Sequence, residues 1–312
     1  MNEPLRPMST GQLLDRTFAL YRKNFLLFVG IATVGPAAYL LFELFMVGSG
    51  TVPGAGASPG RVAAFGATYV IGMFLGLLVM LAGMTLSHAA TVRAVAAVHL
   101  GRQITIGGAY SALRGRVGRV LGVFVLVALL AGGSAFVIVM IAVMIGTVAV
   151  VGGAQGGTAG TVVGALVGIG AAIVGGVLAI AIWVRYSLAI QACVVEDLRP
   201  VASLKRSAVL SKGARGRILA IYFLFGVLSY MLGLAMGALA GGAGTLIPSV
   251  ITRMILVYVA GFIAGSLTGP LATIGVSLLY YDERVRKEAF DLQLMMASLD
   301  APVPPVAAPA QI

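Results

Sequence analysis

The stretch Val120–Val151, VLGVFVLVALLAGGSAFVIVMIAVMIGTVAVV, decides the fold class because it contains no charged side chain. A helix needs about 20 apolar residues to cross the hydrocarbon core of a bilayer. A transmembrane β-barrel would instead show alternating apolar and polar residues in segments of about ten. The uninterrupted run therefore predicts a membrane-spanning α-helix, in which every backbone group is hydrogen-bonded within the segment.

Five other stretches have the same apolar character and a similar length. They are Phe25–Val47, Val62–Leu86, Thr161–Val184, Ile218–Leu239 and Met254–Leu279. The 312-residue chain is 60% hydrophobic and only 10% charged, whereas a soluble domain is about 45–50% apolar and about 25% charged. We therefore predict an all-α integral membrane protein with six transmembrane helices in a single membrane domain, residues 1–296.

The basic residues are concentrated on alternate connections between these stretches. They precede the first stretch, lie between the second and third and between the fourth and fifth, and follow the sixth. Excess Lys and Arg marks the cytoplasmic side of a membrane protein. The pattern predicts a multi-pass protein of the cell membrane with both termini in the cytoplasm. It also accounts for the net charge of +11 without nucleic acid as a partner.

Two of the charged connections contain apolar residues at three- and four-residue spacing. The two series are Leu14, Phe18, Tyr21 and Phe25, and Ile106, Tyr110, Leu113 and Val117. Such a stripe on a basic helix is typical of amphipathic helices that lie in the membrane interface. We predict one such cytoplasmic helix before each pair of spans, with N-caps at Thr10, Thr105 and Ser203.

An internal repeat is indicated when the sequence is shifted by 98 residues. Leu100, Gly115, Gly118, Arg119 and Leu121 then meet Leu198, Gly213, Gly216, Arg217 and Leu219. We predict three approximate repeats, 9–103, 104–201 and 202–296, each an interfacial helix followed by a transmembrane hairpin. The Pro- and Ala-rich segment 297–312 is predicted to be a disordered cytoplasmic tail.

Glycines at four-residue spacing recur within the predicted spans. Small residues on one helical face let two backbones approach closely. The pattern fits a moving transporter core or static packing, including dimer contacts, and we favour packing. The candidate packing residues are Gly72, Gly76, Gly164, Gly168, Gly233, Gly237, Gly261 and Gly265.

Basic residues of the charged connections are candidates for contacts with anionic lipid headgroups or a partner. They are Arg114, Arg116, Arg119, Lys205, Arg206, Arg215, Arg217, Arg284, Arg286 and Lys287. Asp282 and Glu283 precede Arg286 and Lys287 at helical spacing, which predicts structural ion pairs. We favour a solvated helix over a headgroup- or partner-facing surface for the surrounding segment Tyr280–Leu294.

No motif for catalysis, metal binding or cofactor binding is found in the sequence. HExxH, GxSxG and the phosphate-binding GKS/GKT loop are all missing. His88 and His99, the two histidines, would lie ~16 Å apart along one helix, too far to share a metal ion. We expect His88 near the inner end of its span. The sequence predicts no enzyme activity, metal or cofactor.

Three segments resemble the family named for the glycerophosphoryl diester phosphodiesterase membrane domain. They are Tyr280–Leu294 (YYDERVRKEAFDLQL), Leu13–Phe25 (LLDRTFALYRKNF) and Val194–Leu219 (VVEDLRPVASLKRSAVLSKGARGRIL). Ala289 stands where the family usually has Gly, and Gln293 where an acidic residue is common. In fused members the phosphodiesterase chemistry belongs to a separate soluble domain, so the resemblance implies a stand-alone membrane domain without that activity.

The sequence is compatible with two functions. The first is a non-catalytic scaffold or partner module that interacts with anionic lipid headgroups, with a membrane-protein partner or a second copy of the chain as further partners. The alternative is a transporter or flippase for a lipid or amphipathic solute, which would need a cavity within the bundle. An enzyme ranks third, because it would need polar groups that converge in such a cavity.

Overall fold

A computed structural model describes residues 7–49, 58–152, 158–289 and 296. This part of the chain contains α-helices and no strand, so the predicted helical class is confirmed. The helices are α1 (Thr10–Lys23), α2 (Phe25–Ala32), α3 (Val34–Ser49), α4 (Pro59–His99), α5 (Ile106–Ser111), α6 (Val117–Gly152), α7 (Thr158–Tyr186), α8 (Ala189–Val195), α9 (Pro200–Leu210), α10 (Arg215–Gly244) and α11 (Val250–Glu288). The predicted tail, 297–312, lies outside the described residues.

Six helical segments of the described chain are long and apolar enough to cross a membrane. They are Phe25–Gly48, Phe65–His99, Val117–Thr147, Val162–Val195, Arg215–Gly244 and Val250–Glu288. Large apolar side chains such as Leu129, Phe136 and Met144 of α6 point away from the protein. Exposing such side chains to water costs about 1.5–3 kcal/mol each, and hydrocarbon removes that cost. The outward-facing surface of the spans is therefore suited to contact with lipid.

The first span is interrupted, since α2 ends at Ala32 and α3 begins at Val34. Pro36 explains the break. Its ring clashes with the carbonyl group four residues earlier, at Ala32, and it has no N–H to donate there. The hydroxyl of Thr33 donates a hydrogen bond to the carbonyl oxygen of Val29 at 2.7 Å and stabilises the end of α2.

Consecutive long helices make the most extensive contacts: α3 packs against α4, α6 against α7, and α10 against α11. Some of the predicted packing glycines lie at these contacts. Gly76 faces the ring of Phe42, and the carbonyl oxygen of Gly164 lies 3.3 Å from where a Cβ of Gly146 would be. Others have no atom within 4 Å of an added Cβ, namely Gly168, Gly233, Gly237 and Gly261.

Gly76→Ala is expected to destabilise the α3–α4 contact. The added Cβ would lie 1.8 Å from Cδ2 of Phe42. Overpacking costs about 1–3 kcal/mol. Ala gains ~1 kcal/mol over Gly in helix propensity, so we expect a net loss of about 1 kcal/mol. Gly72→Ala is the matched control, since its Cβ would lie 3.4 Å from Sδ of Met46. Equal unfolding midpoints for the two variants in detergent would contradict the packing argument.

The most tightly packed region lies at the end of the bundle where α4 and α11 end and α6 and α10 begin, which we call the basic end. There the buried side chains of Leu13, Leu188, Leu210, Ile218 and Tyr280 belong to one apolar core. Helices α1, α8 and α9 pack around it. Both α4 and α11 continue beyond the predicted spans and bring their last turns into this core.

The helix N-termini at the basic end differ in part from expectation. Thr105 caps α5, because its hydroxyl accepts a hydrogen bond from the N–H of Gly108 at 3.0 Å, as predicted. Thr10 and Ser203 are not N-caps. Ser9 caps α1 in a reciprocal arrangement with Gln12. Helix α9 begins earlier, at Pro200, whose fixed φ and missing N–H suit the first helical position.

Candidate functional site

A partly open cavity of about 590 Å³ lies between the spans. Residues of α2, α3, α4, α6, α7, α8, α10 and α11 line it, as does Ser187 in the turn between α7 and α8. Its volume falls within the range of about 300–1,000 Å³ that is usual for small-molecule sites. Most of the wall is apolar, with a small number of polar groups. This combination is typical of binding sites for amphipathic molecules.

The imidazole of His88 is the most distinctive polar group of the cavity wall. Its Nδ1 lies 3.2 Å from the hydroxyl of Thr273 on α11. Its Nε2 is buried and has no hydrogen-bond partner in the described chain. A buried polar atom without a partner costs about 1–3 kcal/mol. Nε2 is not exposed to the cavity in this conformation, so a ligand can hydrogen-bond to it only after the imidazole turns, and that bond would remove the cost.

His88 lies ~16 Å along α4 from the end of that helix at His99, by the helical rise. It lines the cavity between the spans. The nearby Thr85, Ser87 and Thr91 are also on the wall, and their hydroxyls donate to backbone carbonyl oxygens. Each hydroxyl oxygen also has lone pairs that can accept a hydrogen bond.

Aromatic side chains form another part of the wall. The rings of Trp183 on α7 and Tyr222 on α10 lie 4.1 Å apart between centroids, and Phe124 and Tyr186 line the cavity with them. Flat apolar rings contribute large contact areas at low conformational-entropy cost. The cavity wall thus combines aromatic rings with the polar groups of His88 and its neighbours.

The basic end contains a buried cluster of charges around Arg217, which we call the Arg217 cluster. Nη1 of Arg217 lies 2.7 Å from Oδ2 of Asp282 and 2.9 Å from Oε1 of Glu283. The two carboxylate side chains are only 0% and 5% exposed. Arg286 and Lys287 bind the same two carboxylates, at 2.9 Å and 3.0 Å. Each buried carboxylate is therefore contacted by two cations, one of which is the shared Arg217. These contacts offset the cost of removing the negative charges from water.

The Arg217 cluster also holds the segment before α1. The backbone N–H of Met8 donates to Oδ1 of Asp282 at 2.6 Å. The carbonyl oxygen of Met8 accepts hydrogen bonds from Arg217 at 3.0 Å and Arg286 at 2.7 Å. The start of α1, the start of α10 and the end of α11 are thereby joined at one point.

A second cluster, the Glu196 cluster, links α9 to the end of α11. Arg206 binds Glu196 at 2.9 Å and Glu288 through two guanidinium nitrogens. The hydroxyl of Tyr280 donates to Glu196, and Arg284 contacts both Glu196 and Glu288. Hydrogen bonds to Glu288 and then Glu196 raise the pKa of Arg206 above its ordinary value, although burial opposes them. The cluster therefore keeps Arg206 charged.

The structure divides the predicted headgroup-contact residues into two groups. Asp197 binds Arg116 at 3.0 Å and Arg119 at 2.8 Å, and the two clusters bind Arg206, Arg217, Arg284, Arg286 and Lys287. Arg114, Lys205 and Arg215 are exposed and form no ion pair within the described residues. These three remain available to an external anion.

The preferred interpretation of Tyr280–Leu294 as a solvated helix is wrong for its first turn. Tyr280, Tyr281, Asp282 and Glu283 are all buried, because α11 carries them into the core of the basic end. Sequence analysis also missed the cavity wall. The stretch TLSHAAT, Thr85–Thr91, carried a signal, since polar residues are infrequent in a span and tend to face a cavity or another helix.

No family model, no curated protein and no solved structure matches the chain. Across the described ranges, no group of three or more His, Cys, Asp or Glu side chains is arranged to hold a metal ion. The geometry of the cavity and of the basic end is therefore the basis for a functional assignment.

Proposed function

We propose that this chain is a non-catalytic, multi-pass protein of the cell membrane that binds a lipid or amphipathic solute between its spans. The observation that carries the proposal is the cavity of about 590 Å³ with His88 on its wall. An apolar chain would lie against Trp183, Tyr222 and Phe124, and a polar group would hydrogen-bond to the His88 imidazole once a small rotation of the ring exposes Nε2. Membrane-spanning helices contain few such polar groups, and those that are present usually serve a function.

The proposed architecture is three transmembrane hairpins, each introduced by a cytoplasmic interfacial helix, with both termini in the cytoplasm. Contacts between α3 and α4 support antiparallel pairing, because Gly76 faces Phe42 and the later Gly83 faces the earlier Ala38. The positive-inside pattern supports the orientation, since the Arg- and Lys-rich connections meet at the basic end.

The proposed repeats 104–201 and 202–296 have support from backbone geometry. Helices α6 and α10 begin at Val117 and Arg215, 98 residues apart (215 minus 117). Gly115 and Gly213, also 98 apart (213 minus 115), have φ of +76° and +86°. Left-handed backbone at both positions favours Gly, and the matching turns fit two copies of one unit.

Membership of the glycerophosphoryl diester phosphodiesterase membrane domain family is part of the proposal. Ala289, which stands where that family usually has Gly, ends α11 with φ of 49° and ψ of 45°. A left-handed residue after a helix is where Gly is preferred. The family's usual glycine would therefore suit the backbone found here, and this supports the resemblance.

His88→Leu is expected to weaken ligand binding by about two- to twelvefold, the equivalent of one hydrogen bond. The measurement is a titration of the purified protein with oleate, oleyl alcohol and lysophosphatidylglycerol, followed by thermal unfolding. His99→Leu is the matched control, because His99 is also mostly buried but does not line the cavity. Failure of every probe to shift the unfolding of the unsubstituted protein would contradict the proposal.

A headgroup-binding scaffold is the second candidate function. The exposed cations Arg114, Lys205 and Arg215 favour it, and the open faces at Gly233 and Gly237 leave room for a partner helix or a second copy of the chain. Reconstituted vesicles distinguish the candidates. A carrier or flippase moves the bound amphiphile between leaflets, whereas a scaffold binds lipid without moving it.

A further inference from the structure

A second pocket, of about 520 Å³, opens at the basic end where α7 ends and α10 begins. Three cationic residues line it, Arg185, Lys212 and Arg215, together with Ala208, Gly213 and Gly216. We call it the cationic pocket. None of its lining residues lines the cavity at His88, so an inference from it is independent of that cavity and instead deepens the headgroup-binding role given above as the second candidate.

The three cations of this pocket lack the carboxylate partners that most of their neighbours have, although the guanidinium of Arg185 lies 5.7 Å from the centroid of the Tyr186 ring. Arg217, two residues after Arg215, binds two buried carboxylates. Arg185, Lys212 and Arg215 are exposed and form no ion pair with any residue that the structure describes. Like charges in one pocket repel each other, and the repulsion is relieved when an anion enters. Their shared pocket is therefore suited to an anionic group.

Hydrogen bonds fix the backbone positions from which these side chains extend. The carbonyl oxygen of Arg185 accepts hydrogen bonds from the hydroxyls of Ser207 and Ser211, both at 3.0 Å. Both serines are fully buried. The carbonyl oxygen of Lys212 accepts one from the ammonium of Lys287 at 2.7 Å. The end of α7 and the turn after α9 are thereby held together before any ligand binds.

Gly213 shapes the turn between Lys212 and Arg215. Its φ of +86° lies in the left-handed region that side-chain-bearing residues rarely adopt. The repeat-equivalent turn at Gly115 has Arg114 at the position of Lys212, but Ser87 and Val117 take the places of Arg185 and Arg215. The threefold cationic arrangement is therefore specific to this turn.

We propose that the cationic pocket binds the phosphate group of an anionic membrane lipid. Arginine guanidinium groups bind phosphate oxygens in a bidentate manner, and lysine contributes a point charge. The pocket lies at the ends of two spans, α7 and α10, where the headgroups of the proposed cytoplasmic leaflet lie. A soluble phosphate compound offers the same chemistry, and the experiment separates the two sources.

The test is a titration of labelled phosphatidylglycerol into the full chain in neutral detergent, with the triple variant Arg185→Gln, Lys212→Gln, Arg215→Gln. Each basic residue near a membrane surface contributes roughly fivefold to the affinity for anionic lipid, so the triple variant should bind roughly 100-fold more weakly. The control variant Arg22→Gln, Lys23→Gln, Arg102→Gln removes three exposed charges elsewhere on the same end. We expect it to lose less than about fivefold, because in a neutral micelle these charges lie outside the pocket and act on the bound phosphate only through screened, longer-range attraction.

Equal losses in the two variants, or equal affinity of the unsubstituted protein for diacylglycerol, would overturn the proposal. Displacement of the labelled lipid by millimolar inorganic phosphate would assign the site to soluble phosphate instead. Resistance to that displacement would assign it to the lipid. The charge-conserving variant Arg185→Lys, Lys212→Arg, Arg215→Lys should keep most of the affinity. Its unfolding midpoint, compared with that of the triple variant, separates a binding defect from a folding defect.

Discussion

Arg217→Met is expected to lower the free energy of unfolding by about 3 kcal/mol, the largest stability effect of any single substitution considered. The substitution removes a guanidinium that lies 2.7 Å and 2.9 Å from two buried carboxylates. Taking one partner away from a buried ion pair typically costs about 3–5 kcal/mol. The lower value applies because Asp282 keeps Arg286 and Glu283 keeps Lys287.

Equilibrium unfolding in mixed micelles measures this effect. Arg215→Met is the matched control, since Arg215 is exposed and forms no ion pair with the described residues. Its cost should stay within about 0.5 kcal/mol. The combined variant Arg217→Met, Asp282→Asn, Glu283→Gln should recover part of the loss, because no uncompensated charge remains buried. A loss for Arg217→Met no larger than that of the control would contradict the account of the Arg217 cluster.

Ala128→Trp is expected to abolish binding of an amphiphile in the cavity at His88. Ala128 lines the cavity on α6, and its side chain is exposed, so the larger indole has room to extend into the cavity. It would then occupy the volume that an acyl chain needs against Trp183 and Tyr222. The measurement is the titration with the three amphiphiles used for His88→Leu, followed by thermal unfolding.

Leu129→Trp provides the matched control for this substitution. Leu129 is the next residue on α6, does not line the cavity and is 64% exposed. A Trp there faces lipid, where an indole is well tolerated, and binding should stay unchanged. Retained binding in Ala128→Trp would place the ligand elsewhere, and loss in both variants would indicate a general disturbance of α6.

The membrane-spanning helices were predictable because their signal is local. An uncharged run such as Val120–Val151 is long enough to span a bilayer whatever its neighbours do. The break before Pro36 was likewise foreseeable in kind, since the proline ring acts on the turn that precedes it. The ends of α4 and α11 could not be predicted in the same way, because tertiary contacts at the basic end extend both helices into charged sequence.

The ion pairs were predictable only where both partners lie on one helix. Asp282 with Arg286 and Glu283 with Lys287 follow from four-residue spacing along α11. Arg217 reaches the same carboxylates from α10, and its position in the sequence gives no sign of that contact. Once Arg217 is known to bind there, burial of Asp282 and Glu283 becomes understandable, whereas local spacing alone favoured a solvated helix.

The two candidate binding sites could not be predicted from local sequence patterns either, because their residues come from different helices. The cavity lies between helices from distant parts of the chain, so His88 and Thr273 share its wall. The cationic pocket joins Arg185 to Lys212 and Arg215 across α8 and α9. Sequence analysis predicted a headgroup contact at Arg215, and this stays a prediction. It could not separate this residue from Arg217, because that distinction depends on which cations the fold pairs internally.

Native mass spectrometry of the unsubstituted protein, released from its membrane in mild detergent, tests the central claim most directly. A ligand seated between spans is protected from exchange with detergent, whereas lipids on the outer surface are stripped as collisional activation rises. We expect one adduct of constant mass that persists after the other lipids have left, and that Ala128→Trp lacks. A protein that loses all adducts together, with the same profile in Ala128→Trp, would contradict a binding cavity within the bundle.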